Sequence, residues 1–385
     1  MRDVIVAGVG QTQVGELWDV SLRELGFMAL EAAREDAGRL APQALYVGNM
    51  LSAALSHQGH LGALMADFAG LQGIEAFSVE AAGASGGAAL RQGYLAVASG
   101  AVDVALVLGV EKMSEQTVFG VEAAAATGLD GDYEAEHGLT LTSQAALLTQ
   151  RYMYEFGMPK HALAGFPLTA HANGAGNIHA MFQKAIKLES YQKAGNVSEP
   201  LNMFDVAPNA DGAAAVLLVA PDVMPGDAGH KRVRISGSSV VTDTLALHDR
   251  PDPLVFNAAR LSIERACQQA GIGVQDVDLF ELHDAFSIYG ALTLEAAGLA
   301  GKGEGWKWAE NGNLGLTGKL PISTFGGLKA RGYPGGATGV YQAVEAVLQL
   351  RGEAGKNQVA DARQALIQCL GGPASTAVTH MLTNS

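Results

Sequence analysis

The sequence predicts an α/β fold built from two similar halves. Short β-branched segments alternate along the chain with longer segments rich in Ala and Leu, a pattern typical of strands alternating with helices. Two glycine-rich turns, GASGG at 83–87 and GYPGGATG at 332–339, each precede a predicted helix, a strand and further glycines. These units indicate an internal repeat, although any α/β chain rich in Ala and Gly yields some matching pairs by chance.

The predicted strands are short apolar runs that end at turn residues. They lie at Val4–Val9, Ala76–Glu80, Val102–Leu108, Ala214–Val219, Val233–Val241, Leu279–Leu282, Ala365–Cys369 and Ala377–Leu382. The predicted helices carry apolar residues three to four positions apart. They lie at Ser21–Ala37, Ser85–Ser99, Thr142–Phe156, Leu254–Ala270, within Tyr289–Leu299 and at Gly339–Leu350.

The length of 385 residues suits two domains or one large layered unit. We predict an N-terminal half at 1–225 and a C-terminal half at 226–385. Residues of about 133–208 carry fewer strand patterns, which predicts an insertion that forms a lid or a wall of the substrate site. Hydrophobic residues at 48% and charged residues at 17% indicate a well-buried globular protein.

Charge and composition exclude several classes of function. The net charge of −14 argues against nucleic-acid binding and against adhesion to anionic membranes, because both require clustered Lys and Arg. No apolar run is long enough to span a membrane. The first residues contain Asp3 and read as a strand rather than a signal peptide, so we expect a cytoplasmic protein.

Metal and nucleotide cofactors are not expected. With only Cys267 and Cys369, the chain has no disulfide framework and no all-cysteine zinc site. The histidines lack metal-ligand spacing, and no GxGxxG pattern lies between a strand and a helix, so we predict neither a metal nor a nicotinamide cofactor. Cys267 falls on a helical pattern and is expected to pack in the core.

Fragments along almost the whole chain, in order, resemble the thiolase superfamily, in its sterol-carrier-protein and lipid-transfer-protein branch. They are VIVAGVGQTQVG at 4–15, VEAAGASGGAAL at 79–90, GVEKMS at 109–114, PNADGAAAVLL at 208–218, ELHDAFS at 281–287, GGLKARGYPGGATG at 326–339 and CLGGP at 369–373. The resemblance implies a thiolase-like fold of two similar five-layered α/β/α/β/α halves, with the active site between them, and a tight homodimer.

Two residues depart from the family pattern. Gly83 stands where the resemblance implies the reactive cysteine, and Tyr333 stands where it implies the catalytic histidine. A thiolase needs its cysteine to hold the acyl group covalently until CoA accepts it. Gly83 closes that route, but its N–H, together with that of Gly371, could still stabilise a thioester oxyanion. Gly336 belongs to the glycines whose amides could line the same pocket.

Retro-aldol cleavage of a β-hydroxyacyl-CoA suits this set of residues, because a neutral ketone or aldehyde leaves without an acyl-enzyme. The thiolase-like steroid side-chain aldolases use tyrosines in this way, and the chain resembles them at Tyr333 and, less closely, at Tyr289. By that analogy one of the two tyrosines takes the hydroxyl proton, and His283 donates to the thioester oxygen. Asp284 is expected to orient its turn. Cys369 matches the family's second cysteine. It is expected either to act as an acid or to be a structural residue.

The resemblance also implies partners. The expected substrate is an acyl-CoA with a steroid side chain, and CoA would be the only cofactor group present, as part of that substrate. A homodimer and a small OB-fold/zinc-ribbon protein are the expected protein partners. Two alternatives stay open: a divergent acyltransferase that uses Cys369 as its nucleophile, and a non-catalytic scaffold that binds acyl-CoA. Tyr333 and Tyr289 would then be packing aromatics.

Overall fold

The structure is a computed structural model that describes residues 2–224 and 229–384. The predicted boundary between the two halves, at 225/226, lies outside the described residues. No helix in the described ranges is long and apolar enough to cross a membrane.

The strands form one mixed sheet of nine strands and a separate pair. They are β1 Ile5–Gln11, β2 Ala44–Gly48, β3 Glu75–Val79, β4 Val104–Glu111, β5 Asn196–Ser198, β6 Leu201–Asn202, β7 Gly212–Val219, β8 Val233–Thr242, β9 Leu279–Glu281, β10 Gln364–Gly371 and β11 Thr376–Asn384. The large sheet has the order β3-β2-β4-β7-β1-β8-β11-β10-β9, and β5 pairs with β6. The first five strands of that order belong to the N-terminal half, and the last four belong to the C-terminal half.

The described α-helices are α1 Leu22–Asp36, α2 Ser52–Leu55, α3 Leu61–Phe68, α4 Ser85–Ser99, α5 Val118–Ala126, α6 Leu141–Phe156, α7 Gly165–Gly174, α8 Leu188–Gln192, α9 Asn257–Ala270, α10 Ser287–Ala296 and α11 Thr338–Arg351. Every strand and helix predicted from the sequence is present, with ends that agree within three residues. Strand β2 and the helices α3, α5 and α7 were not predicted. Their segments are short or rich in Ala and Gly, so their apolar period is weak.

Three hydrophobic cores separate five layers. One core lies between α1 and α3 and the outer face of the N-terminal half-sheet. A second surrounds α4 and α11, which lie between the two half-sheets. The third lies outside the C-terminal half-sheet, against α9 and α10, and includes buried Cys267. The α/β/α/β/α order is therefore completed by the two halves together, because they share the central helices.

Glycines let the two central helices approach closely. A Cβ built on Gly339 would lie 2.3 Å from the backbone N of Gly87, and one built on Gly86 would lie 2.6 Å from the carbonyl O of Gly336. Real Cβ atoms essentially never approach a neighbour within 3.0 Å. Backbone therefore meets backbone where the two glycine-rich turns begin their helices, which brings the turns of the two halves together.

The predicted insertion at about 133–208 is mostly helical and contains α6, α7, α8 and the β5–β6 pair. It has no separate core of its own. Leu148, Tyr152 and Phe166 from this region are buried in the core of the C-terminal half. The insertion leaves the N-terminal half between β4 and β7 and packs on the other half, so it spans both.

Candidate active site

A cavity of about 40 Å³ lies between the two halves. Three residues singled out from the sequence line it together, namely His283, Tyr289 and Tyr333. The remaining lining residues are Glu122, Ala125, Leu141, Thr142, Val206, Ala207, Asn209, Ala285, Phe286, Leu370 and Gly372. Side chains from the insertion and from both halves therefore meet at one point.

Gly83 and Tyr333 share one space in this cavity region. A Cβ built on Gly83 would lie 2.7 Å from the Oη of Tyr333, 2.7 Å from the carbonyl O of Leu370 and 3.2 Å from the Cε1 of His283. The phenol hydroxyl therefore fills the position that a side chain at residue 83 would need. A side chain at 83 would require the Tyr333 phenol and the Leu370 carbonyl to shift, so the two departures from the family pattern are coupled in space.

The turn that carries Tyr333 is held by its backbone. The N–H of Tyr333 donates to the carbonyl of Pro208 (2.9 Å), and its carbonyl accepts from the N–H of Ala210 (3.2 Å). Asp284 fixes the preceding π-helical turn, Gly327–Arg331, because its carboxylate accepts from the N–H of Leu328 (2.8 Å) and the hydroxyl of Ser323 (3.3 Å). Asp284 orients the turn, and the phenol of Tyr333 is presented rigidly.

His283 is a neutral imidazole. Burial, with a smaller contribution from the Arg331 guanidinium, lowers its pKa to about 3. Its ring meets the ring of Tyr333 edge-on, with centroids 5.6 Å apart. The buried Nδ1 atom has no hydrogen-bond partner within the described part of the chain. A neutral imidazole carries one N–H, so His283 is suited to donate a single hydrogen bond to a ligand oxygen.

Both cavity tyrosines are protonated at neutral pH. Burial raises the pKa of Tyr333 well above its usual value, and the charges of Glu111, Cys369 and Glu122 raise it further. Burial also raises the pKa of Tyr289, although the Arg250 guanidinium acts in the opposite direction. Each phenol therefore carries its proton and can donate a hydrogen bond.

Tyr289 is positioned by aromatic packing. Its ring packs edge-on against Phe256 and Phe286, with centroids 5.5 Å and 5.0 Å away. Its hydroxyl is buried and has no partner among the residues that the structure describes. Tyr289 thus combines the core role and the cavity position that the sequence left as alternatives.

Cys369 does not face the cavity. Its Sγ lies between α4 and α11, where a Cβ built on Gly87 would be 2.2 Å away. The thiol lies 3.8 Å from the carbonyl of Ala84 and 3.9 Å from that of Val378. Burial raises its pKa to about 12. The following residue, Leu370, lines the cavity instead, since successive strand residues point to opposite faces.

None of the three predicted glycines, Gly83, Gly371 and Gly336, is among the residues that line the cavity. Gly371 packs against the loop before Gly83, where a Cβ would be 2.6 Å from the carbonyl of Ala81. The N–H of Gly336 donates to the carboxylate of Glu111 (3.0 Å) and is therefore already engaged. Of the predicted oxyanion donors, Gly83 is the one next to both Tyr333 and His283.

Two carboxylates near the site were not found from the sequence. Glu111 is fully buried and also accepts hydrogen bonds from Asn49, Met50 and Leu51, and burial raises its pKa to about 7. It ties the loop after β2 to the turn of Tyr333. Glu122 lines the cavity and accepts from the hydroxyl of Thr142 (3.2 Å). A single Glu in an Ala-rich helix such as α5 gives no motif that could have revealed it.

A groove of about 940 Å³ opens beside the cavity. Its walls are largely apolar and come mainly from residues 118–143 and 181–209, so the insertion supplies much of them. Lys184 and Lys329 add positive charge. The groove and the cavity share a set of lining residues, namely Glu122, Thr142, Val206, Ala207 and Asn209. The groove is therefore the approach to the cavity that this structure provides.

Comparison with known proteins identifies the family. A model described as the thiolase N-terminal domain matches residues 4–222, and one described as thiolase C-terminal domain-like matches residues 239–384. An acetyl-CoA acetyltransferase of Methanothermobacter thermautotrophicus is 43% identical over 385 residues, covering 100% of both chains. The chain belongs to the thiolase family. Its α/β architecture is the thiolase fold, as the sequence fragments predicted.

Two further similarities bear on the branch of the thiolase family. Sterol carrier protein 2 of Bos taurus is 30% identical over 321 residues, which cover 80% of this chain and 59% of that protein. A solved Ltp2-ChsH2(DUF35) aldolase aligns with a TM-score of 0.85 at 23% identity, covering 99% of this chain and 98% of that one. That structure shares the fold. The sequence had suggested the aldolases as the most similar branch, but the acetyltransferase is the more similar in sequence.

Proposed function

We propose that this thiolase-family protein cleaves a branched β-hydroxyacyl-CoA by a retro-aldol reaction, giving a ketone and a shorter acyl-CoA without a covalent acyl-cysteine. The observation that carries the proposal is the 2.7 Å between the Tyr333 hydroxyl and the position of a Cβ on Gly83. The space of the nucleophile is occupied by a phenol. Chemistry that needs no nucleophile is therefore favoured.

Three groups would act on the thioester enolate. The neutral ring of His283 would donate to the thioester oxygen, with the N–H of Gly83 beside it. Tyr333, protonated at neutral pH, would deliver a proton to the enolate carbon. Tyr289 would hydrogen-bond to the carbonyl half through its unpartnered hydroxyl. No cofactor enters this proposal apart from the CoA of the substrate.

The groove supports an acyl-CoA substrate with a bulky apolar part. Its volume of about 940 Å³ suits a ligand much larger than the cavity itself. Apolar walls fit a polycyclic skeleton such as a steroid side-chain substrate, and Lys184 at the groove offers a cation for CoA phosphates. A steroid is the substrate that we propose within the class of branched β-hydroxyacyl-CoAs.

Acyl transfer is the second candidate, and it is favoured by the acetyl-CoA acetyltransferase that is similar over the whole chain. In this chain it would need Cys369 as nucleophile. The buried position of that thiol, outside the cavity lining, and its pKa of about 12 weigh against this role. A non-catalytic acyl-CoA-binding scaffold is the third candidate.

We also propose a homodimer and an OB-fold/zinc-ribbon partner. Strand β3 lies at the edge of the sheet with an open backbone edge, and Phe77 on it is 55% exposed. An exposed edge strand with a large apolar side chain favours pairing with another chain. For the second partner, the support is the solved aldolase, whose name pairs two proteins.

The test is a cleavage assay by mass spectrometry with branched β-hydroxyacyl-CoAs, without free CoA, with the chain alone and with a candidate partner. Release of a ketone and a shorter acyl-CoA is expected. Cleavage of β-ketoacyl-CoA only after addition of CoA would support the acyltransferase instead, because a thiolase cannot turn over without CoA. Absence of both activities would favour the scaffold.

A further inference from the structure

The proposed cleavage needs a group that accepts the proton of the β-hydroxyl. Both cavity phenols are protonated at neutral pH, and His283, with a pKa of about 3, is neutral and buried. The base therefore has to be sought among the other residues that line the cavity. This inference rests on the proposed function and adds a residue to it.

Glu122 is the carboxylate among the lining residues of the cavity within the described ranges. It lies on α5 and is half-buried, and it lines the groove as well as the cavity. A substrate that passes from the groove to His283 and Tyr333 therefore passes Glu122. The hydroxyl of Thr142 donates to one carboxylate oxygen at 3.2 Å, and the other oxygen accepts no hydrogen bond from the residues that the structure describes.

We propose that Glu122 is the general base that accepts the β-hydroxyl proton during carbon–carbon cleavage. The carboxylate takes the proton, and the O–H electron pair forms the carbonyl of the departing ketone. The bond between the α and β carbons breaks, and its electron pair moves into the thioester as an enolate. His283 and the amide of Gly83 hold the enolate oxygen.

The cycle closes without an added reactant. Tyr333 transfers its proton to the α carbon of the enolate and becomes a phenolate, which completes the shorter acyl-CoA. The protonated Glu122 then releases its proton to solvent, and the Tyr333 phenolate takes one proton from solvent. The two side chains line the same cavity, and the charge of Glu122 acts on the pKa of Tyr333. Substrate proton and product proton thus balance.

Tyr289 is the competing base. The Arg250 guanidinium, which is held by the carbonyls of Thr244 and Pro373, favours its phenolate. Burial opposes this effect and is the larger influence on the pKa of Tyr289. Glu122 lines both the cavity and the groove, on the path that a substrate would take, and for this reason we assign the role to the carboxylate.

The experiment separates the cleavage step from the enolate step. Cleavage of a branched β-hydroxyacyl-CoA is followed by mass spectrometry, and exchange of the α hydrogens of the shorter acyl-CoA is followed separately in D₂O. Enolate formation requires Tyr333 but not the β-hydroxyl base. The variants are Glu122→Gln, which keeps an oxygen for Thr142, Tyr289→Phe and Tyr333→Phe. The matched control is Glu24→Gln, because the Glu24 carboxylate also accepts from a hydroxyl, that of Ser21, but lines neither the cavity nor the groove.

We expect Glu122→Gln to slow cleavage by roughly 100-fold or more while exchange stays within about threefold of wild type. Tyr333→Phe should lose both, and Glu24→Gln should lose neither. Wild-type cleavage rates in Glu122→Gln, or equal loss of cleavage and exchange, would overturn the assignment. If Tyr289→Phe instead loses cleavage and keeps exchange, the base is Tyr289. A wild-type protein that neither cleaves nor exchanges would overturn the proposed function itself.

Discussion

The two glycine-rich turns of this protein are followed by the same order of elements but present different side chains. One opens the 15-residue helix α4 and leads to β4, and the other opens the 14-residue helix α11 and leads to β10. The first turn presents Gly83, with no side chain, and the second presents the phenol of Tyr333. The Tyr333 phenol reaches the space beside Gly83. The side chain at this point of the site therefore comes from the C-terminal half rather than from the N-terminal half. The two repeat units thus keep the same order of turn, helix and strand although their side chains at the site differ.

The largest effect should come from removing the one hydroxyl that distinguishes the second turn. Tyr333→Phe keeps the ring and its packing against His283, so folding should be retained while turnover falls roughly 1000-fold. Steady-state cleavage of a β-hydroxyacyl-CoA measures it. Tyr341→Phe is the matched control, because it removes a buried tyrosine hydroxyl that bonds to Thr12 away from the cavity. Unchanged turnover in Tyr333→Phe would favour a scaffold.

Each turn also has a buried histidine beside it, and both should make the protein sensitive to acid. His283 meets Tyr333, and His380 approaches the carbonyl of Gly87 at 3.1 Å through Nε2. Burial lowers their pKa values from 6.5 to about 3 and about 4. Between pH 6.5 and 4 the unfolded chain binds protons that the folded chain does not, so stability falls as pH falls.

The contribution of His380 can be removed separately. His380→Gln can keep a hydrogen bond to Gly87 but cannot titrate. Between pH 7.5 and 4.5 its unfolding free energy should therefore fall by roughly 2 kcal/mol less than that of wild type. Denaturant unfolding at pH 7.5 and 4.5 measures the difference. An acid slope equal to that of wild type would show that His380 binds a proton in the folded state.

A smaller effect should reveal the shared space of the two turns. Gly83→Ala places a methyl group against the Tyr333 hydroxyl and the Leu370 carbonyl, so it should destabilise the fold and reduce turnover. In a Tyr333→Phe background one of these contacts is relieved. We expect a coupling of about 1 kcal/mol in a double-mutant cycle of unfolding free energies. Additive effects would mean that the two positions do not share space.

The smallest effect should come from Cys369, which separates the two enzyme hypotheses. Its thiol points away from the cavity, so Cys369→Ala should leave retro-aldol turnover within about threefold and cost roughly 1 kcal/mol of stability from the lost packing. Turnover assays and thermal unfolding measure the two quantities. Abolished activity with intact folding would instead give the thiol a catalytic role.

Many of the helices and strands could be predicted from the sequence because local patterns specify them. The helices of both repeat units follow glycine turns and have a clear apolar period, and both were predicted within one residue. Strand β2 was missed, since ALYVG is five residues long and fully buried, and so has no alternation. The meeting of Gly83, His283 and Tyr333 depends on contacts between segments about 200 residues apart in sequence. For those contacts the sequence offered only a family resemblance.

The site residues that were missed share one property. Glu122 and Glu111 lie on elements whose sequence gives no spacing to a second functional group, and their importance arises from what the fold brings next to them. Cys369 shows the reverse case. Its position in CLGGP suggested function, but the alternation of β10 turns its thiol to the helices and Leu370 to the cavity. The direction of a strand side chain depends on register, which a motif does not encode.

The backbone contact between α4 and α11 has a mechanical consequence. Where Gly86 and Gly87 meet Gly336 and Gly339, backbone packs directly on backbone beside the Cys369 thiol, so the floor of the candidate site is expected to be stiff. The cavity above it, at about 40 Å³, is far smaller than any acyl-CoA. Most of a substrate would therefore lie in the neighbouring groove, which shares Val206, Ala207 and Asn209 with the cavity, and substrate binding should be sensitive to changes at these residues.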